Sequence, residues 1–196
     1  MYIEGLRRTP EDEARRTLLK AALSAGFALG LAPRLVTGQD DAASVRPREG
    51  DVLVRATDQS QRPLGPGDIL PDARPVMAWA MDPIDATVRS GSRLNQVLVL
   101  RLDPQKLSPD TRLRAADGVL AYTAICTHMG CEVDDWLANE QRLYCPCHGS
   151  KFDPTDGARV VEGEAPRPLP SLPLRIADGK LVVAGPFTAR VGFESA

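Results

Sequence analysis

The chain predicts an antiparallel all-β domain from residue 51 onward. Three observations carry that reading. Short runs of β-branched and apolar residues recur, turn residues separate most of them, and no helical period longer than about ten residues emerges after residue 50. Sixteen glycines and seventeen prolines in 196 residues exceed an average usage of roughly 12% for the pair, which favours turns over long helices. A hydrophobic content of 43% and a charged content of 26% allow a packed core and exclude wholesale disorder. This length suits one ordinary domain with a short attachment. Net charge is −2 with no dense basic stripe, so nucleic acid is not expected as a partner.

The first 38 residues read differently. They carry six Lys/Arg against four Asp/Glu, and a charged start ends in Arg15-Arg16-Thr17-Leu18-Leu19-Lys20 before the apolar run Ala21 to Pro33. Small and polar residues (Thr37, Gly38, Gln39) follow, which is the layout of an export signal. The paired arginines with Leu18, Leu19 and Lys20 behind them resemble a twin-arginine signal. Ala14 and Leu18 depart from that pattern, which has Ser or Thr and Phe there. Ala21 to Pro33 reaches about 20 Å as a helix, short of a hydrocarbon core of about 30 Å. Leu18 to Val36 reaches about 28 Å if Lys20 and Arg34 snorkel. A cleaved signal and a retained membrane anchor both fit, and either places the rest of the chain on the periplasmic side.

Residues 39–50 are polar without an apolar period, and a flexible linker is expected there. Expected strands are Asp51 to Arg55, Val76 to Ala80, Gln96 to Arg101 and Gly118 to Thr123. Leu172 to Ile176 and Leu181 to Ala184 flank Asp178-Gly179, a strong hairpin signal. A weak helical pattern lies within Asp103–Asp117, and Pro166, Pro168, Pro170 and Pro173 mark one stiff loop. Trp79 and Trp136 read as packing or surface aromatics.

All four cysteines and both histidines fall in two blocks, Cys126-Thr-His128-Met-Gly-Cys131 and Cys145-Pro-Cys147-His148-Gly-Ser150. Each block offers a thiolate and an imidazole at C-x-H or C-x-x-H spacing, so one tight loop can aim two ligands at a common centre. Two sulfurs and two nitrogens suit zinc or an iron–sulfur centre. A structural zinc accounts for four ligands but leaves Cys131 and Cys147 over, and it does not need Pro146 and Gly149 in the second loop. On the residues alone the two metals stand level.

The double motif C-T-H-x-G-C and C-P-C-H-G-S resembles that of the Rieske iron–sulfur proteins at every defining position, over roughly residues 118–185. The resemblance implies a Rieske-type β-sandwich over 51–196 with a small cluster-binding subdomain near 124–167. It implies one [2Fe–2S] cluster, with Cys126 and Cys145 on one iron and His128 and His148 on the other. It pairs Cys131 with Cys147 in a disulfide and makes Ser150 a hydrogen-bond donor to a bridging sulfide. Gly163-Glu-Ala-Pro166 resembles the third loop, whose proline covers the cluster. Phe152 stands where high-potential members carry Tyr. Lacking that phenolic donor, the centre is expected in the middle or upper middle of the Rieske range of roughly −150 to +300 mV.

The function so implied is one-electron transfer, as the iron–sulfur subunit of a quinol:cytochrome c oxidoreductase-like complex. Its partners would be membrane cytochrome b/c subunits and quinol, and imidazole N–H groups would couple electron to proton. Such a subunit is not expected to turn over substrate alone. The alternative is the small subunit of an arsenite oxidase-type molybdoenzyme, partnered by a molybdopterin subunit; the remote alternative is a structural zinc domain. A ring-hydroxylating oxygenase needs two further histidines, and the chain has none.

Overall fold

The computed structural model describes residues 39–193. The signal or anchor expected over 1–38 lies outside the described residues, and among those described no helix is long and apolar enough to cross a membrane. Six strands form the larger sheet: β1 (Val52–Arg55), β2 (Val76–Met81), β3 (Val97–Arg101), β4 (Val119–Thr123), β9 (Leu174–Ala177) and β10 (Lys180–Val183). Their order is β4-β3-β2-β1-β10-β9, and every neighbouring pair is antiparallel. Each follows an apolar run legible in the sequence.

Strands β3 and β4 read as unbroken apolar runs because both of their faces are covered. Val97, Val99, Val119 and Ala121 join Leu53, Ala78, Ala80 and Leu181 in one core. The alternate residues Leu98, Leu100, Leu120 and Tyr122 join a second core that holds Val133, Trp136, Leu143 and Phe152. Burying one such large side chain contributes about 1.5–3 kcal/mol, so the second core binds the inserted residues firmly to the larger sheet. The Tyr122 hydroxyl donates to the Pro154 carbonyl at 2.8 Å, satisfying the polar end of a fully buried ring.

The larger sheet also joins its own edges. Thr123 N–H donates to the Pro170 carbonyl at 2.9 Å and Leu172 N–H to the Ala121 carbonyl at 2.8 Å, so the segment entering β9 bonds β4. The sheet thereby wraps one core as a sandwich. The β9–β10 hairpin turns through Asp178 and Gly179 at φ 50° and 71°, the conformation that an Asp-Gly pair favours.

Between β4 and β9 the chain builds a second, four-stranded sheet: β5 (Asp135–Leu137), β6 (Arg142–Cys145), β7 (Ser150–Asp153) and β8 (Arg159–Glu162), in that order. These strands gave no apolar run in the sequence because at most one of their faces is buried. On the outer face Lys151 Nζ lies 2.9 Å from Glu162 and 3.1 Å from Glu140.

The segment expected as a flexible linker is instead docked. Helix α1 (Gln39–Ser44) opens it, and Gly91 N–H donates to the Ala43 carbonyl at 2.9 Å. The buried Asn95 amide donates to the Val45 carbonyl at 2.8 Å, and the Arg46 guanidinium donates to the Leu94 carbonyl at 2.6 Å. Arg89 and Asp51, 4% and 3% exposed, form a buried pair beside this segment. Hydropathy missed this because the captured groups are backbone carbonyls, which carry no side-chain signal. The weak helical pattern near Asp103–Asp117 becomes a 3-10 turn (Pro104–Lys106) and helix α2 (Pro109–Leu113), with Pro109 in its first turn and the Ser108 side chain as its cap.

Candidate metal centre

The first block leaves β4 as a tight loop. Cys126 N–H donates to the Cys131 carbonyl at 2.8 Å and Gly130 N–H donates to the Cys126 carbonyl at 3.1 Å. Thr127, 1% exposed, donates its hydroxyl to the Arg167 carbonyl at 2.7 Å. The Arg93 guanidinium donates to the Gly130 carbonyl. The loop is therefore held from two sides.

The second block is the β6–β7 hairpin connection. Cys145 ends β6, Ser150 begins β7, and the two are register partners; so are Leu143 and Phe152. Register partners share a face, and alternate residues return to it. Leu143, Cys145, Ser150 and Phe152 therefore line one inner face, and all four are buried. Cys147 and His148 fall in the connection and are exposed. This explains a C-x-x-H spacing that buries the thiol and exposes the imidazole.

The third loop, Gly163 to Pro166, follows β8. A Cβ on Gly163 would lie 2.4 Å from the Ser150 Cα, and Gly163 adopts φ +90°; only glycine fits so close an approach. Ala165 N–H donates to Ser150 Oγ at 3.1 Å. That bond uses an acceptor site of the hydroxyl and leaves its proton for donation inward. Pro166 is exposed at the end of this loop.

Cys131 and Cys147 are disulfide-bonded with Cα atoms 6.5 Å apart, the pairing that the resemblance implied. The bond ties the first loop to the second and removes both sulfurs from any ligand set. Cys126 and Cys145 are the free thiols, 2% and 1% exposed. Burial pushes the Cys145 thiol up to about 11, the Cys126 thiol adds to the rise, and a hydrogen bond from the Cys147 backbone opposes it. A buried Cys145 thiolate thus needs a cationic partner to persist.

The imidazoles of His128 and His148 meet edge to face, with ring centroids 4.5 Å apart. His128 Nδ1 is buried without a hydrogen-bond partner, whereas its Nε2 lies 3.5 Å from Glu164 Oε2. An orphaned buried nitrogen fits a metal ligand. The ligand atoms of His128, His148 and Glu164 lie within 4.8 Å of one another, as do those of Cys145, Cys131 and Cys147. Among the described residues, no such group joins the free thiols to the imidazoles. One tetrahedral zinc needs all four donors at about 2.0–2.3 Å from a single point, so the geometry disfavours zinc. Two thiols within and two imidazoles at the rim suit a group with two metal ions.

The elements define a β-sandwich metalloprotein whose centre sits between two loops joined by a disulfide. The Rieske [2Fe-2S] domain profile matches residues 93–173. The chain is 31% identical over 147 residues to the cytochrome bc1 complex Rieske iron-sulfur subunit of Streptomyces lividans, covering 74% of this chain and 85% of that one. The subunit of the same name from Streptomyces coelicolor is 31% identical over 147 residues, and here the match spans 41% of its length. The putative respiratory nitrate reductase Rieske subunit of Haloferax mediterranei is 47% identical over 76 residues, 38% of this chain and 34% of that one. This chain belongs to the Rieske [2Fe-2S] family, and its Rieske domain binds one [2Fe–2S] cluster.

The sequence-predicted residues gather at the three loops, except Phe152, which lies on β7 two residues beyond Ser150, but some contributors gave no signal. The profile match begins at residue 93, ahead of the motif region, where Arg93 holds the Gly130 carbonyl. Glu164 passed as the variable position of G-x-A-P. Trp136 is buried in the core beside the loops, with Nε1 lacking a partner.

Proposed function

We propose that Cys126 and Cys145 hold one iron of the cluster and that His128 and His148 hold the other through Nδ1. The observation that carries this reading is the division of donors: two free buried thiols, and two adjoining imidazoles of which one has an orphaned buried Nδ1. When bound, the cluster supplies one-electron chemistry and draws proton affinity toward its imidazole ligands. The chain's own residues then do the rest. The inner-face residues Leu143, Ser150 and Phe152 keep water from the thiol side, and the exposed His148 forms the rim where a donor or acceptor can approach. The outer ring nitrogen of an imidazole held through Nδ1 is free to carry a proton to or from that approaching molecule.

The chain serves as the electron-transfer subunit of a quinol:cytochrome c oxidoreductase-like complex, partnered by membrane cytochrome subunits and quinol. Relatives that carry the cytochrome bc1 name over most of the matched length support this reading above an arsenite oxidase-type partner. Residues 1–38 export the domain by a twin-arginine route, anchoring it at the periplasmic side or leaving by cleavage. The experiment is purification of the full-length protein from its native membranes. Co-purified b-type and c-type haems with quinol-dependent cytochrome c reduction support the proposal. A molybdopterin partner without b-type haem would replace it with the alternative.

A further inference from the structure

The outward nitrogen of His128 faces a carboxylate. Glu164 Oε2 lies 3.5 Å from His128 Nε2, with side-chain exposures of 64% and 25%. That placement is built into the loop. Gly163 on one side lies flush against the Ser150 and Gly149 backbone, where any Cβ would clash. Ala165 on the other donates its N–H to Ser150 Oγ at 3.1 Å. Both neighbours of Glu164 are thus fixed to the strand that follows the second ligand block, and Glu164 is presented at the imidazole pair. Glu162, two residues earlier, points elsewhere: it pairs with Lys151 at 2.9 Å.

We propose that Glu164 is a tuning residue that acts through His128, its negative charge holding the potential of the centre below the value a neutral side chain would give. The inference rests on the assignment of His128 as a ligand through Nδ1. Reduction adds an electron to the metal beyond the ring, so a fixed carboxylate across that ring disfavours the reduced state. Exposure of the carboxylate sets the size of the effect, because solvent screens it. Glu164 therefore works in the same direction as Phe152, which withholds a donor from the centre.

The test is the midpoint potential of the loaded full-length protein, by film voltammetry at one pH, for wild type, Glu164→Gln, Glu164→Ala and the control Glu162→Gln. Iron, acid-labile sulfide and the visible spectrum are recorded on each. Both Glu164 variants should raise the reduction equilibrium constant by about two- to fivefold, the scale of an exposed charge pair, or about 18–41 mV at about 59 mV per tenfold. They should agree with each other, since charge and not shape is the cause, and Glu162→Gln should move the potential much less. An unmoved potential in loaded Glu164 variants overturns the role of Glu164 alone. An equal shift in Glu162→Gln overturns it too, by showing a response to overall charge, and so does loss of the cluster in both Glu164 variants. A wild-type protein that takes up no iron overturns the ligand assignment instead.

Discussion

Replacing Cys131 and Cys147 together with serine removes the link between the two ligand loops while leaving both loops in sequence. The sequence separation of the pair is 16. Closing a loop of that length removes about 10 cal/mol/K of unfolded-chain entropy, which stabilises the protein by about 3 kcal/mol at 25 °C. Neither serine introduces a fully buried hydroxyl, because Cys147 is exposed and Cys131 is half-buried. The loss therefore reports the cross-link and not polar burial. At about 2–4 °C per kcal/mol for a chain of this size, the Tm should fall by about 6–12 °C. The assay is thermal melting of the loaded protein without reductant, followed by both far-ultraviolet circular dichroism and cluster absorbance. The absorbance should fade first, since the loops that hold the ligands loosen before the sandwich opens. A double variant that melts within about 2 °C of wild type would refute the reasoning, as would free thiols at Cys131 and Cys147 in oxidised, loaded wild-type protein by mass spectrometry.

Phe152→Tyr should raise the midpoint potential by about 40 mV if the added phenol donates to a ligand sulfur, taking a differential of about 1 kcal/mol between oxidation states. Voltammetry checks it, and an unmoved potential with an intact cluster would leave Phe152 as packing alone. Ser150→Ala should lower the potential by a similar or larger amount and free the Ala165 N–H that now bonds Ser150 Oγ at 3.1 Å. Asp51→Asn should destabilise the fold by about 3 kcal/mol in urea unfolding, because it removes the nearer carboxylate from the buried Arg89 and leaves only Asp82, at 3.4 Å, to balance its charge.

The strands of the larger sheet were legible because burial on both faces of β3 and β4 selects unbroken apolar runs, and an Asp-Gly pair specifies its own hairpin. The small sheet was not legible. Strands β5 to β7 bury one face, and β8 is exposed or half-buried throughout, so charged residues interrupt any pattern. Docking of residues 43–50 was equally hidden, since it depends on Gly91 and Asn95, distant in sequence, capturing the Ala43 and Val45 carbonyls. The ligand blocks stood out because soft ligands at close spacing have few structural uses. What sequence could not supply was the partition of their environments: thiols inside, Cys145 on the β6–β7 face and Cys126 in the loop after β4, imidazoles at the rim, and a carboxylate facing one of them.

The assignment of two distinct iron sites to these four residues is tested most directly by Mössbauer spectroscopy of protein grown on iron-57. Two quadrupole doublets of equal area are expected from one thiolate-held and one imidazole-held iron. On one-electron reduction, only the site held by His128 and His148 should take on ferrous character. A single iron environment, or protein carrying one zinc and no iron, would contradict the account.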